Sequence, residues 1–363
     1  MGRIEKLKRI GMLTIHDTVN YGSLLQTYAT YNAVKQICGN VEIIDYTCKA
    51  IEDRETTYPL KSVRTIKGFF KFVLWHPMLH KKKISFHTFI KEQMKLSPRY
   101  NIETIVNANN RYDIFIVGSD IVWGMNITGH DYTYFLDFVK SDKRKYAFSS
   151  SIGTAWNEND KPKIKSLLEK FDSISVREEQ ASEWVEELLG KKVPVTCDPT
   201  MLWPNTYWRE LSDDEYAPKD KYVLIYLTTK DKANIRDGIA YAKKHKMIAY
   251  YIDFNHVKPI ENLRILKPVS IQQWISLILH ADTVFSASYH GLLFALYFHR
   301  NVFYYNRGNT SRMLSLCKEL HIENREGKTQ NLNYDVPIDY VYIDNAIEQK
   351  RSESWEILRE YLR

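Results

Sequence analysis

A few short stretches carry residue types able to handle an anion and a proton. Ser288-Tyr289-His290-Gly291 sets a histidine beside a glycine, where the apolar run Thr283-Val284-Phe285-Ser286 gives way to helical periodicity. An imidazole at such a turn can donate a proton or partner an anion. The helix N-terminus behind it favours negative charge. The same pattern also describes a capped helix with a satisfied histidine. Arg177 ends another apolar run, in Ser175-Val176-Arg177-Glu178-Glu179. Its guanidinium can grip a carboxylate or phosphate in a fork, or pair with Glu178, Glu179 or another acid. Arg307 and Arg312 lie in a Gly-centred loop after the strand that follows His290. That loop either closes over the same anion or is a solvated turn. Asn20-Tyr21-Gly22-Ser23 stands between the first apolar run and the first helical pattern, and Ser119 and Asp120 follow another apolar run. A single glycine at residue 22 permits a tight turn, but the three-glycine dinucleotide fingerprint is absent.

The elements that must position these groups alternate. Residues 10–15, 41–46, 112–117, 145–150, 173–176 and 193–197 read as buried strands, with helices between several of them. A second series begins with strands at 222–227, 247–252, 283–286 and 302–305 and helices at 232–245, 271–280 and 291–299. Strand–helix alternation predicts parallel sheets, and ligands of such sheets sit beyond the carboxyl ends of the strands. Each stretch named above falls at such an end. The expected fold class is α/β: two Rossmann-like domains, GT-B-like, with an interdomain cleft. The 363-residue length exceeds what one core usually serves. The Pro-bearing stretch 198–208 is the expected junction, giving domains at 1–200 and 201–340 and a final helix within 341–363 packing back across the junction.

Composition narrows the function. Net charge is +7 and the pI is about 8.9, which suits an anionic substrate or surface. No zinc-finger spacing, RNP-type motif or Arg-rich arm points to nucleic acid. Cys38, Cys48, Cys197 and Cys317 are far apart, which argues against a zinc site or a disulfide framework and for a reducing compartment. The first apolar run is too short for a secretory leader, and no stretch reaches about 18 apolar residues. A cytoplasmic protein needing no metal or cofactor is the expectation. Residues 55–95 form a basic, aromatic helical insertion in the first domain. Within it, 63–83 mixes Arg64, Lys67, Lys71, Lys81, Lys82 and Lys83 with Phe69, Phe70, Phe72 and Trp75. Such a segment either lies on an anionic membrane surface or packs as a helical hairpin broken near Pro77.

The strings TIHDTVNYGSLLQTYA, FIVGSDIVW, SSIGT, SVREE, CDPTMLW and ADTVFSASYHGLLFALYF occur in this order. In combination and order they resemble the polysaccharide pyruvyl transferase family, over residues 10–325. The resemblance implies a GT-B-type fold and transfer of pyruvate from phosphoenolpyruvate across two sugar hydroxyls, releasing phosphate. It implies that His290 contacts phosphoenolpyruvate as general acid, that Arg177 clamps its carboxylate or phosphate, and that Arg307 or Arg312 completes the donor site. Asn20, Tyr21, Gly22, Ser119, Asp120, Ser288 and Gly291 would line the substrate cleft. The acceptor would be a lipid-linked glycan at the inner face of the membrane. Two rival functions fit the same elements: a nucleotide-sugar glycosyltransferase recruiting Glu323 and Arg325, and a non-catalytic glycan- or membrane-binding scaffold working through 63–83.

Overall fold

Near-continuous apolar runs such as Ile114-Phe115-Ile116-Val117 and Tyr222-Val223-Leu224-Ile225-Tyr226 have no polar face, so they are stable only with helices on both sides. The computed structural model describes residues 8–55, 65–252, 260–267, 269–307, 311–327 and 333–363. Both runs are fully buried strands within it. Two compact units emerge: unit 1 comprises Met1–Thr56, His87–Leu202 and Gln349–Arg363, and unit 2 comprises Thr57–Phe86 and Trp203–Glu348.

In chain order, unit 1 is built from β1 (Ile10–Leu13), α1 (Tyr21–Cys38), β2 (Val41–Ile43), α2 (Lys49–Glu55), the end of α3 (Ile66–Gln93), β3 (Ile114–Gly118), α4 (Met125–Thr128), β4 (Arg144–Ser150), α5 (Lys161–Leu168), β5 (Ser173–Val176) and α6 (Glu179–Leu189). Its sheet is wholly parallel, in the order β2-β1-β3-β4-β5. Unit 2 contains α7 (Asn205–Glu210), β6 (Tyr222–Tyr226), α8 (Ala233–Lys244), β7 (Ile248–Ile252), β8 (Leu263–Leu266), α9 (Ile271–Leu279), β9 (Thr283–Ser286), α10 (Tyr289–Tyr297), β10 (Asn301–Tyr304), α11 (Ser311–Glu319) and the start of α12 (Tyr340–Leu362). Its sheet is also parallel, in the order β10-β9-β6-β7-β8. Strand order reverses between β1 and β3 in unit 1, and between β6 and β9 in unit 2. Those reversals are where a doubly wound sheet opens a crevice for ligand.

Three local readings of the sequence need correction. The expected strand at 193–197 is a single bridge, in which Val195 pairs with Val176. Pro194 contributes only its carbonyl, accepting from Val176 N at 3.0 Å. The strand β8 carries no apolar run: Arg264 is exposed and Ile265 and Leu266 are half-buried, as befits an edge strand. The segment 63–83 is no hairpin. Residues 63 and 64 lie outside the described residues, and the rest belongs to α3, one 28-residue helix that runs through Pro77. Phe86, Phe89 and Ile90 are buried and anchor its C-terminal half. Of its described residues, 65–86 group with unit 2 and 87–93 with unit 1, whereas the sequence had placed the whole insertion in the first domain.

The last helix starts at Tyr340, earlier than its periodicity suggests, and its second half closes unit 1. Ser354 Oγ accepts from Cys197 N at 2.9 Å, Trp355 Nε1 donates to Leu202 O at 2.9 Å, and Tyr361 stacks on Tyr146 at 5.2 Å.

The edge of the unit 1 sheet is locked by a buried carboxylate. A Cβ on Gly11 would lie 2.6 Å from Tyr112 Cδ2, so only glycine lets that ring cross β1. The Tyr112 hydroxyl then donates to Glu42 Oε2 at 2.8 Å, and Arg111 and Lys95 reach the same carboxylate at 2.6 and 2.9 Å. Burial opposes the charge of Glu42, but Arg111, Lys95 and Tyr112 outweigh it and pull its pKa down to about 2. A depressed acid stabilises the fold above its unfolded pKa, and that contribution is lost as pH falls through the folded value. Glu42→Gln is therefore expected to lower stability at pH 7 by about 1–3 kcal/mol. The gap to the parent should narrow between pH 4.5 and pH 2. Urea unfolding across that range checks it; a pH-independent gap would assign the loss to shape alone.

Candidate functional site

In unit 2 the carboxyl ends of β6, β9 and β10 gather the groups of interest. Tyr226 ends β6, Ser286 ends β9, and Arg307 follows β10. The sequence turns sharply after β9 because Ser286 Oγ accepts from Ser288 N at 3.1 Å and donates to Ser288 O at 3.0 Å. Ser288 is then the N-cap of α10, its hydroxyl accepting from Gly291 N at 3.5 Å. Gly291 has no room for a side chain: a Cβ would press on Ser286 Oγ and come within 2.6 Å of Tyr226 Cδ1. The glycine thus lets the positive end of α10 sit directly over the end of β9.

His290 is the second residue of α10. It is 9% exposed and meets the Tyr289 ring edge-on at 5.1 Å. Arg307 is exposed, and its charge is felt by Tyr226. Burial pushes the Tyr226 phenol up, and Arg307 works against that shift. Arg312 is the second residue of α11 and half-buried; residues 308–310 of its loop lie outside the described residues. The turn after β6 shares this edge. It is shaped by Asn234, whose amide donates to Leu227 O at 2.6 Å and accepts from Thr228 Oγ1 at 3.1 Å. Sequence reasoning passed over Tyr226, Ser286 and Asn234. A Ser two residues before an N-cap Ser was the one available signal.

In unit 1 Arg177 is 2% exposed in its side chain. Its Nε donates to Glu178 Oε1 at 3.1 Å and its Nη1 to Asp198 Oδ2 at 3.1 Å. Ser151 Oγ donates to the same Glu178 oxygen at 2.7 Å, and Thr200 binds Asp198 Oδ1 through Oγ1 at 2.7 Å and N at 3.0 Å. The cluster holds one guanidinium and two carboxylates.

The other expected cleft residues divide by role. Asn20 is exposed but caps α1, its side-chain oxygen accepting from Gly22 N at 3.0 Å and Ser23 N at 3.5 Å. Tyr21 and Gly22 are buried in the first turn of α1. Gly118, Ser119 and Asp120 all have positive φ, at 159°, 66° and 58°. Gln26 of α1 holds that turn, accepting from Ser119 Oγ at 3.0 Å and Asp120 N at 2.6 Å. Gln26 is fully buried and went unnoticed in the sequence. Asp120 remains half-exposed, its Oδ1 accepting from Ile121 N at 2.9 Å.

Arg325, the residue a nucleotide-sugar reading would recruit, is committed elsewhere. It is 1% exposed, donates to Asn301 Oδ1 at 2.9 Å and to Val336 O, and lies over the Phe303 ring. Among the described residues no group of three or more His, Cys, Asp or Glu side chains could hold a metal ion. No helix among them is long and apolar enough to cross a membrane.

Comparison with solved structures places the fold. The chain is similar to UDP-GlcNAc 2-epimerase from Neisseria meningitidis bound to UDP-GlcNAc, at 10% identity and TM-score 0.51, covering 97% of this chain and 94% of that one. It is similar to S. aureus MnaA in its UDP co-structure, at 11% identity and TM-score 0.51, covering 97% and 91%. The UDP-GlcNAc 2-epimerase of Methanocaldococcus jannaschii aligns at 11% identity and TM-score 0.50, covering 94% and 91%. The fold is the expected GT-B-like pair of Rossmann-like units. No curated protein matches the sequence significantly. The sequence does match the polysaccharide pyruvyl transferase family over residues 20–309, a span that contains His290, Arg177 and Arg307. That match covers well over half of the 363 residues, so the chain belongs to the polysaccharide pyruvyl transferase family.

Proposed function

We propose that this protein transfers a pyruvyl group from phosphoenolpyruvate to two hydroxyls of one sugar in a lipid-linked bacterial surface glycan, forming a ketal. The observation that carries this reading is the edge of unit 2. There a serine-capped helix N-terminus, His290 and Arg307 share the carboxyl ends of β9 and β10, beside the strand-order reversal between β6 and β9. Phosphoenolpyruvate carries a phosphate and a carboxylate, and this edge supplies a helix dipole and a guanidinium for them.

The chemistry runs in balanced steps. His290 protonates C3, leaving an oxocarbenium-like centre at C2. A sugar hydroxyl attacks C2 and gives up its proton, the C2–O bond to phosphate breaks, and a second hydroxyl closes the ring. One of the two hydroxyl protons restores His290 and the other leaves with phosphate. Positive charge near the departing phosphate and a positioned acid account for the acceleration, with no covalent protein intermediate.

Arg177 ties together the loops after β4 and β5 through Glu178 and Asp198. Arg177→Ala would leave Glu178 and Asp198 buried without their counter-charge, which costs about 3–5 kcal/mol. His290→Ala is expected to lower phosphate release from phosphoenolpyruvate by about 10²–10⁴-fold in protein that remains folded. Arg307→Ala should raise the KM for phosphoenolpyruvate, and Arg312→Ala alongside it reports which of the two arginines serves the donor. Full turnover in His290→Ala would remove the catalytic assignment while leaving the fold intact.

The α3 surface supports work beside a membrane. Phe69, Val73 and Ile84 are each at least 50% exposed, and at helical periodicity they fall within a stripe about 60° wide. Lys81 and Lys83 flank that stripe, while Lys82 points away and is 5% exposed, its ammonium over Phe86 at 5.1 Å. This is the layout of a helix lying in an interface. Lys81→Glu with Lys83→Glu should weaken flotation with anionic liposomes, since each basic residue near such a surface contributes about 1 kcal/mol. Equal flotation of variant and parent would refute the attachment.

A further inference from the structure

His290 is held by more than its own helix. The turn that carries it, residues 287–290, is pinned to the neighbouring strand. Ala287 N donates to Tyr226 O, the last carbonyl of β6, at 3.0 Å. The same tyrosine meets the start of α10, where a Cβ on Gly291 would lie 2.6 Å from Tyr226 Cδ1. Whatever fixes the Tyr226 carbonyl therefore bears on where His290 stands.

That carbonyl belongs to the peptide joining Tyr226 to Leu227, and Leu227 is left-handed, with φ at 54°. A leucine rarely takes this conformation, because its Cβ crowds the backbone. Such a residue persists only where its surroundings hold it. Here the hold is Asn234, fully buried in the first turn of α8. Its amide donates to Leu227 O at 2.6 Å, and its side-chain oxygen accepts from Thr228 Oγ1 at 3.1 Å. Without that grip Leu227 is free to relax to negative φ. It does so by turning one of the two planar peptides beside it, and one of these carries Tyr226 O.

We infer that Asn234 is a positioning residue for His290, acting through Leu227 and the Tyr226 carbonyl. The inference rests on the reading given under Proposed function, in which His290 is the acid, and deepens it. Asn234 is buried, so it acts through the turn. The route is short and lies wholly within unit 2: Asn234 to Leu227, Tyr226 O to Ala287, and Ala287 to the cap Ser288 and His290. A proton delivered to one carbon of a bound donor depends on where the imidazole stands, and a displacement of about 1 Å costs about 10²-fold in rate.

The test uses the full-length protein and two readouts. One is phosphate release from phosphoenolpyruvate. The other is the histidine-ring NMR spectrum without ligand, in which the signal lost in His290→Ala belongs to His290. Asn234→Ala should lower kcat about 10–100-fold, leave the KM for phosphoenolpyruvate within about threefold, and shift the His290 signal. Glycine takes positive φ unaided. Adding Leu227→Gly to Asn234→Ala should therefore bring kcat back to within about threefold of the parent and restore the signal. Leu227→Val strains the same joint from a half-buried position, since a β-branched side chain tolerates positive φ worse. It should lower kcat in the same way even if Asn234→Ala does not fold. Full kcat in either single variant, an unmoved His290 signal, or a double variant as slow as Asn234→Ala would each overturn the assignment. A parent that releases no phosphate rejects the pyruvyl reading, and the NMR readout then decides the positioning. A His290 signal shifted by Asn234→Ala or Leu227→Val and restored by Leu227→Gly in the double variant keeps it, and any other result rejects it.

Discussion

A parallel sheet has one constraint that everything else here obeys. All its strands point the same way, so every strand-to-helix turn lands on the same edge. The chain returns through a helix before each new strand, and each helix begins where a strand has just ended. Helix N-termini, cap residues and the first polar side chains after each strand therefore collect without further design. Both sheets of this protein are wholly parallel, so each unit owns one such edge. The apolar content of the strands serves this arrangement directly. Runs buried on both faces leave polar groups nowhere to go except the turns.

The two edges carry opposite electrostatic character. In unit 2 the edge holds a capped helix N-terminus and an exposed Arg307, a setting for negative charge. In unit 1 carboxylates prevail: Glu178 and Asp198 share one arginine, and Asp17 and Asp45 share another. For the proposed transfer, cations gathered at both edges would hold the anionic donor in two places. The protein's net charge of +7 does not reveal the contrast, because it sums over both units and over the basic face of α3.

Much of the fold was legible because parallel strands and their helices leave strong local patterns. The runs that became β3, β6 and β9 are apolar and short. What failed did so for physical reasons. The β8 strand sits at an edge, so one side of it has no need to be apolar, and Arg264 breaks any run. The stretch around Pro194 has strand composition but lacks an N–H to continue a ladder. Pro77 reads as a break, yet a single proline removes one helical hydrogen bond, and a long helix anchored through its C-terminal half survives that loss. Gln26 was invisible because a buried polar residue inside an apolar pattern looks like noise. Only its partner, or the lack of one, gives it meaning.

Arg177 shows most clearly where sequence stops and structure is needed. Its position after β5 is equally suited to gripping a ligand and to bracing the loops. Motif resemblance cannot separate the two, because both demand an arginine at the same place. Distance shows how the bracing is done: one carboxylate lies 3.1 Å from Nε and another 3.1 Å from Nη1. Both carboxylates are in turn held by Ser151 and Thr200, so neither is loose enough to yield its place. Burial makes the exchange still less favourable: with side chains 2%, 7% and 0% exposed, a displaced carboxylate would stay in a medium that cannot solvate it. An exposed arginine such as Arg307 faces no such penalty, since water screens it until the ligand arrives. The unit 2 edge thus keeps an exposed cation at the end of its sheet, and the unit 1 edge uses Arg177 to hold its loops in place.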